Sequence, residues 1–302
     1  MAHGDVKHDY HLVNPSPWPF VASVGAFIAA VGGVVLMRGL TAEEGNFFLS
    51  KGQWTLFAVG MGILILTCIG WWGDVIKEGK QGDHTPVVDI GLRYGMILFI
   101  ASEVMFFVAW FWMFFELAIF HDNRADWLVP TWDPETAAAW ASWPPPHVET
   151  FDPFHLPLIN TLILLLSGTT VTWAHHALQK GDRAGARLGL ILTVALGVIF
   201  TWVQFAVEYP AAGFAFGNQG DVTNANVYGA SFFMATGFHG FHVIIGTIFL
   251  AVCLLRLLAG QMTPQKHFGF EAAAWYWHFV DVVWLFLFTF VYVMPYLTMQ
   301  SH

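Results

Sequence analysis

Long apolar windows alternate with shorter polar stretches along the whole chain. Seven windows run approximately over residues 18–37, 54–72, 94–120, 156–177, 188–207, 228–255 and 272–296. A helix needs about 20 apolar residues to cross a hydrocarbon core of about 30 Å, and each window has about that length or more. The pattern therefore predicts an all-α polytopic membrane protein with seven transmembrane helices.

The composition agrees with a membrane location. Of 302 residues, 56% are hydrophobic, 17% are aromatic and only 11% are charged, a mixture that no soluble globular domain needs. The formal net charge of −9 argues against nucleic acid as a partner. Cys68 and Cys253 each lie singly inside a predicted span. We expect them to be small core residues rather than a disulfide or a thiolate metal site.

The cations are distributed unevenly between the two faces that seven spans would create. One face carries Lys7, Lys77, Lys80, Arg93, Lys180, Arg183, Arg187, Arg256 and Lys266, and the other carries Arg38, Lys51 and Arg124. Because positive charge collects on the cytoplasmic side, the N-terminal tail of residues 1–17 is predicted to be cytoplasmic and the C-terminus to lie across the membrane. The tail lacks a basic n-region and a small-residue cleavage site, so residue 1 is expected to remain in the mature chain.

Ionisable residues inside the last window predict a structural polar stripe. His278 and Asp281 lie within it, and Glu271 stands at its mouth. At about 100° per residue, Glu271 and His278 are nearly in line, and Asp281 sits about 60° from His278. An ionisable group at bilayer depth usually faces protein, water or a partner, because exposure to lipid tails costs a few kcal/mol or more.

Glu103 lies near the middle of the third window, and His239 and His242 lie three residues apart in the sixth. The histidine spacing puts both imidazoles on one side of a helix, where they could bind a haem or a metal. The sequence shows no further converging ligand motif, which favours a structural role and no metal site. A carboxyl and an imidazole on neighbouring helices can satisfy each other, so we hypothesise that Glu103 hydrogen-bonds one of the two histidines. A proton- or lipid-related role for Glu103 stays open beside a packing role.

Four polar residues near the cytoplasmic boundary form a candidate site for a lipid head group. They are Lys77, Glu78, His84 and Arg256, on two connections that lie on the same face. Basic pockets between spans on that side attract anionic phospholipids. The alternative is a set of separate side chains, each reaching towards water on its own.

Six motifs together resemble subunit III of the cytochrome c oxidases. They are WYWHFVDVVWLFLF (275–288), FFMATGFHGFHVIIGT (232–247), WAHHAL (173–178), SEVMFF (102–107), HTPVV (84–88) and HLPLINTLILL (155–165). The resemblance extends over all seven predicted spans. It is strongest to the bacterial, alphaproteobacterial-like form found in aa3-type haem-copper oxidases.

This resemblance implies an architecture and partners. The first two helices would splay from the other five in a V-shaped 2+5 bundle, with phospholipid in the cleft. The chain would hold no cofactor of its own, since heme A and copper belong to subunits I and II, and it would pack against subunit I. Glu103 would be the carbodiimide-reactive intramembrane acid of the family. Family contacts to lipid head groups would fall on Lys77, Glu78, His84 and Arg256, although Lys77 replaces an arginine of mitochondrial relatives and Gly73 replaces a basic residue.

The implied function is that of a non-catalytic subunit of a proton-pumping oxidase in the aerobic respiratory chain. It would stabilise subunit I, support proton uptake, bind phospholipids and guide O2 along the cleft. Its place would be a bacterial inner membrane, with a respiratory supercomplex as a candidate assembly. Subunit III of a quinol oxidase is an alternative, although the two leading spans and HTPVV favour the cytochrome c type. A seven-helix transporter and a haem-binding electron carrier are alternatives of other classes. A retinal protein is excluded by the lack of lysine from Glu271 to His302.

Overall fold

The structure, a computed structural model, describes residue 10 and residues 15–41, 54–123, 142–144, 148–214 and 227–300. Most of the predicted N-terminal tail lies outside these residues. The long helices are α1 (Trp18–Thr41), α2 (Thr55–Gln81), α3 (Pro86–Ile119), α4 (Leu156–Gln179), α5 (Arg183–Trp202), α6 (Val227–Leu258) and α7 (Phe268–Leu287). Helix α5 continues through a π-helical turn, Val203–Glu208, and α7 continues through another, Phe288–Val293, into α8 (Met294–Gln300).

The described residues contain helices and no strand. Seven helical segments within them are long and apolar enough to cross a membrane. The predicted all-α, seven-span fold is therefore confirmed. The chain divides into two compact units, Met1–Leu92 and Arg93–His302. The V-shaped arrangement implied by the resemblance stays a prediction.

The polar stretch after the second apolar window is mostly helical. Helix α2 runs on to Gln81 and α3 already begins at Pro86, so only residues 82–85 are non-helical. Gly82 ends α2 with a left-handed φ of 91°, which glycine adopts without strain. Proline suits the start of the next helix because an N–H at that position would have no intrahelical partner. The helices therefore extend beyond the apolar windows into polar sequence.

In the first unit, α1 and α2 pack with their backbones close together. A Cβ at Gly32 would collide with the backbone of Phe57, and one at Gly60 with the backbone of Ala29. Small residues permit this approach, which supplies the van der Waals contact that holds membrane helices together. Trp18 adds a hydrogen bond from its indole Nε1 to Asp74 Oδ2 at 2.6 Å.

In the second unit, two fully buried tryptophans of α7 fasten this helix to α4. Trp277 Nε1 donates to Ser167 Oγ at 2.8 Å, and Trp284 Nε1 donates to Thr161 Oγ1 at 2.9 Å. The Trp277 ring also packs on Gly197 of α5 and Gly246 of α6, where a Cβ would meet it at 2.8 Å in each case. One indole therefore contacts three neighbouring helices, which defines the centre of this bundle.

The close contact of α1 and α2 yields a prediction. Gly60→Val should lower the free energy of unfolding by about 1–3 kcal/mol or more, because the added carbons collide with the α1 backbone. The measurement is an SDS titration of the chain in mixed micelles, followed by circular dichroism. Gly62→Val on the same helix is the control, since nothing lies within 4 Å of its Cβ position. Equal losses for the two variants would contradict close packing at Gly60.

Candidate functional site

Glu103 of α3 contacts His242 of α6. Glu103 Oε2 lies 2.9 Å from His242 Nε2, and the side chains are 23% and 8% exposed. The aromatic rings of Phe106 and Phe107 flank the imidazole, with ring centroids 5.8 and 4.9 Å away. This is the type of contact that the sequence suggested, and of the two histidines it is His242 that makes it.

The second nitrogen of His242 constrains where the protons of the pair can be. His242 Nδ1 lies 2.7 Å from the carbonyl oxygen of Phe238, which can only accept, so Nδ1 carries a proton. His242 Nε2 then either accepts from a protonated Glu103 or donates to its carboxylate. The pair has no net charge in either arrangement. Such a pair suits an apolar surrounding because no unbalanced charge is placed there.

His239 faces away from this pair. Its Nε2 lies 3.2 Å from the carbonyl oxygen of Val280 on α7, and its ring lies 4.9 Å from the ring of Trp284. The side chain is fully buried, and Nδ1 has no hydrogen-bond partner among the described residues. The two histidines share a helix but serve different neighbours. Within the described residues no cluster of three or more potential metal ligands occurs.

The predicted polar stripe of α7 is divided between two neighbouring helices. Glu271 binds Arg93 of α3, with Arg93 Nη2 3.0 Å and Nε 3.2 Å from Glu271 Oε2. His278 contacts Thr172 of α4, where Nε2 lies 3.0 Å from the hydroxyl. His278 Nδ1 lies 3.6 Å from Asp281 Oδ2 one turn further on. The fork of the Arg93 guanidinium gives the Glu271 pair a defined geometry at the mouth of the span.

The predicted lipid-contact residues are distributed over the two units. Lys77 and Glu78 lie near the end of α2, and His84 follows in the short connection to α3. The His84 ring packs over Gly79, where a Cβ would meet the imidazole at 3.1 Å. Arg256 belongs to the second unit and lies in the last turn of α6. Their role in lipid binding stays a prediction.

A buried polar cluster was missed at the sequence level. Gln204 Nε2 donates to Glu208 Oε1 at 2.8 Å and to the Tyr292 hydroxyl at 3.1 Å, and the hydroxyl donates to Glu208 Oε1 at 2.5 Å. Asn160 of α4 joins through a longer contact to Gln204. Gln204, Glu208 and Tyr292 lie in the two π-helical turns, whose wider hydrogen-bond spacing redirects side chains. The sequence feature that could have revealed this cluster is Glu208, a carboxylate one residue past the fifth apolar window.

The comparisons with known proteins decide the family. The sequence model described as Cytochrome c oxidase subunit III matches residues 8–296. The chain belongs to the cytochrome c oxidase subunit III family. It is 50% identical to Cytochrome c oxidase subunit 3 of Danio rerio over 293 residues, which cover 97% of this chain and 98% of the relative. It is 49% identical to the subunit 3 of Marchantia polymorpha over 287 residues, which cover 95% of this chain and 96% of the relative.

Membership of the subunit III family makes the chain part of an oxidase complex with other subunits. The expected resemblance is thereby confirmed at the level of the family, while the bacterial origin stays a prediction. Within this chain, ionisable side chains of α3 form contacts that join this helix to α6 and α7. The Glu103–His242 and Arg93–Glu271 pairs are the two such contacts between ionisable side chains described above.

The Glu103–His242 pair of this subunit III can be tested directly. Glu103→Ala should lower the free energy of unfolding by about 1–2 kcal/mol, because His242 Nε2 loses its partner inside the bundle. Glu103→Gln is the matched control, since its amide can still donate to Nε2. An SDS titration in mixed micelles measures both variants. Equal losses for Ala and Gln would show that the hydrogen bond does not stabilise the fold.

Proposed function

We propose that the chain is the accessory subunit III of a cytochrome c oxidase in an aerobic respiratory chain, and that it supports a catalytic subunit without holding a redox centre. The observation that supports this is that several ionisable groups of the second unit are engaged by other protein groups. Glu103 is engaged by His242, Glu271 by Arg93, and His239 by a backbone carbonyl. These groups hold helices together in the manner of a scaffold.

The proposal has a chemical basis. A redox site in a helix bundle requires several side chains that converge on one point, as in the bundle sites for haem or metal pairs. The contacts of Glu103, Glu271 and His239 are pairwise and do not converge on one point. His242, for example, presents both ring nitrogens to protein oxygens, at 2.7 and 2.9 Å. Such a chain would stabilise the oxidase by packing against its catalytic subunit, while heme A and copper would be held by subunits I and II.

The family resemblance extends this proposal to the support of proton uptake, the guidance of O2 and the orientation of the chain in the membrane. We include in it the support of proton uptake by subunit I and the guidance of O2 through bound phospholipid, since an apolar gas dissolves in hydrocarbon. The cation distribution supports a cytoplasmic N-terminus and a C-terminus across a bacterial inner membrane. A place in a larger respiratory assembly is compatible with these properties.

Co-purification tests the central proposal. When a tagged chain is extracted from native membranes in mild detergent, the purified complex should show a reduced-minus-oxidised spectrum of haem a and should oxidise cytochrome c. The chain purified alone, after removal of the other subunits, should give a flat spectrum. Oxidation of quinol instead of cytochrome c would favour a quinol oxidase. A haem signal that stays with the isolated chain would refute the scaffold role.

The lipid proposal is tested at Lys77. Lys77→Gln should reduce the anionic phospholipid retained by the purified oxidase, because it removes the proposed contact with a bound head group in addition to the general attraction of about 1 kcal/mol that any cation near the membrane surface exerts. Native mass spectrometry counts the retained lipids. Lys80→Gln is the control, since Lys80 is an exposed lysine in the last turn of the same helix and is outside the predicted set. Equal loss of lipid in both variants would argue against a specific contact at Lys77.

A further inference from the structure

The buried polar cluster around Glu208 contains two oxygen atoms that its own side chains do not satisfy. Asn160, Gln204 and Glu208 are fully buried, and Tyr292 is 1% exposed. Within the residues that the structure describes, Asn160 Oδ1 and Glu208 Oε2 have no hydrogen-bond partner. A buried polar atom without a partner costs about 1–3 kcal/mol. Two such atoms in one connected cluster therefore require a polar group from outside these side chains.

The contacts of Glu208 all fall on one carboxyl oxygen. Oε1 accepts from Gln204 Nε2 at 2.8 Å and from the Tyr292 hydroxyl at 2.5 Å, whereas Oε2 accepts from neither. The second proton of Gln204 Nε2 goes to the Tyr292 hydroxyl at 3.1 Å, and the hydroxyl has only one proton. All donors of these two side chains are thus used before any reaches Oε2.

The amide of Asn160 is oriented by two acceptors. Its Nδ2 lies 3.4 Å from the carbonyl oxygen of Phe200 and 3.4 Å from Gln204 Oε1. Because both partners can only accept, the nitrogen of the amide belongs on their side and Oδ1 on the other. Oδ1 is therefore an acceptor, and it requires a donor that the cluster does not provide.

Asp281 of α7 shows how Glu208 differs from another buried acid of the second unit. The Asp281 carboxyl packs directly on Gly168 of α4, where a Cβ would collide with Oδ2. Oδ2 also lies 3.6 Å from His278 Nδ1, so a base stands beside this acid. In the described part of the chain, no lysine, arginine or histidine lies within ion-pair distance of Glu208. A carboxylate in an apolar surrounding without a cation is costly, and an acid avoids this cost by keeping its proton.

The proton of a neutral Glu208 would be on Oε2. Oε1 already accepts from two donors, so an O–H at that oxygen would meet two other protons. Oε2 is then a donor without an acceptor, and Asn160 Oδ1 is an acceptor without a donor. Water can accept from the first and donate to the second, and buried water is typically bound in this way by groups that protein leaves unpaired.

The cluster lies close to one end of the helices that form it. Glu208 is three residues before the end of the span Arg183–Ala211, and Asn160 is four residues after the start of the span Leu156–Gln179. At a rise of about 1.5 Å per residue, both are about 4–6 Å from these helix ends. Water therefore has a short path from the membrane surface. A metal ion fits less well, because the described residues contain no cluster of three or more potential ligands.

We propose that the cluster of Asn160, Gln204, Glu208 and Tyr292 is an internal water site, in which Glu208 is a neutral acid that donates from Oε2 to bound water and the water donates to Asn160 Oδ1. The site joins α4 to the two π-helical turns. Unlike Glu103, which contacts a histidine, Glu208 holds its proton without a basic partner. All these groups belong to this chain, so the proposal is independent of the proposed function.

X-ray footprinting of the complex in which the tagged chain leaves the membrane tests the water. An X-ray pulse turns bound water into hydroxyl radicals, which oxidise side chains beside it even where bulk solvent does not reach. Tyr292 should therefore be oxidised although it is 1% exposed. Trp277 is the control, because it is fully buried, its Nε1 donates to Ser167 and indole is at least as reactive towards these radicals. Absence of oxidation at Tyr292, or equal oxidation of both residues, would overturn the proposal.

Infrared difference spectroscopy tests the proton. A protonated carboxyl has a C=O stretching band that is separate from the bands of carboxylates and amides and that shifts to lower frequency in D2O. The spectrum of the wild type minus that of Glu208→Gln should contain this band. Asp122→Asn is the control and should show no such band, since Asp122 is 76% exposed. A Glu208 difference spectrum that lacks the band would mean an ionised carboxylate and would overturn the proposal.

Two variants test the part of Glu208 in holding the water. Glu208→Gln keeps Oε1 as an acceptor and replaces the O–H by an N–H, so Tyr292 should still be oxidised. Glu208→Leu has no polar atom for water, and the oxidation of Tyr292 should be lost. Equal oxidation of Tyr292 in the Gln and Leu variants would contradict water binding by Glu208. If the Leu chain fails to accumulate in membranes, the footprint of the wild type and the infrared band still decide.

Discussion

The constraint on which this structure depends is that a polar group inside a bilayer must find its partner within protein. The bilayer core contains no water that could form a hydrogen bond with it, and lipid tails have neither donors nor acceptors. In the second unit the constraint is met by contacts between helices. Indole N–H groups of Trp277 and Trp284 bind hydroxyls of α4, and the Glu103–His242 pair joins α3 to α6. Each contact satisfies two groups at once and fixes the relative position of two helices.

The same constraint explains why two acids of the second unit are each paired with a base. Glu103 with His242, and Glu271 with Arg93, each balance one acid with one base. An unbalanced charge at this depth would be expensive, whereas a balanced, hydrogen-bonded pair is tolerated. The aromatic rings around His242 then act as a low-dielectric wall, which strengthens the hydrogen bond by excluding water. Acids and histidines that suggest a catalytic site in the sequence can thus have the role of holding helices together.

Much of the fold could be predicted from the sequence because hydropathy reports directly on the bilayer. The seven windows correspond to the seven candidate spans. His239 and His242 both lie in α6, but they contact different neighbouring helices. The ends of the helices were harder to predict from the sequence. The helices α2 and α3 extend into polar sequence such as that before Gly82, where hydropathy carries no signal. Capping residues such as Gly82 and Pro86 mark those ends instead.

The contacts between distant residues were harder to predict. In the sequence, Arg93 was only one more cation on the predicted cytoplasmic face, and its pairing with Glu271 depends on how α3 meets α7. The cluster of Gln204, Glu208 and Tyr292 depends on π-helical turns, which break the 3.6-residue period on which face assignments rest. The partner of Glu103 was inferable because few polar groups were available at its depth. Scarcity of partners in a membrane span makes such inferences stronger than they are in a soluble protein.

The contact between Gly168 and Asp281 has a consequence for how the family can vary. Since a Cβ at 168 and the carboxyl at 281 would occupy the same space, the two positions cannot drift independently. A lineage that lost the acid would be free to accept alanine at 168. One that acquired a side chain at 168 would have to move the acid or replace it. Substitutions at these two positions should therefore be inherited together.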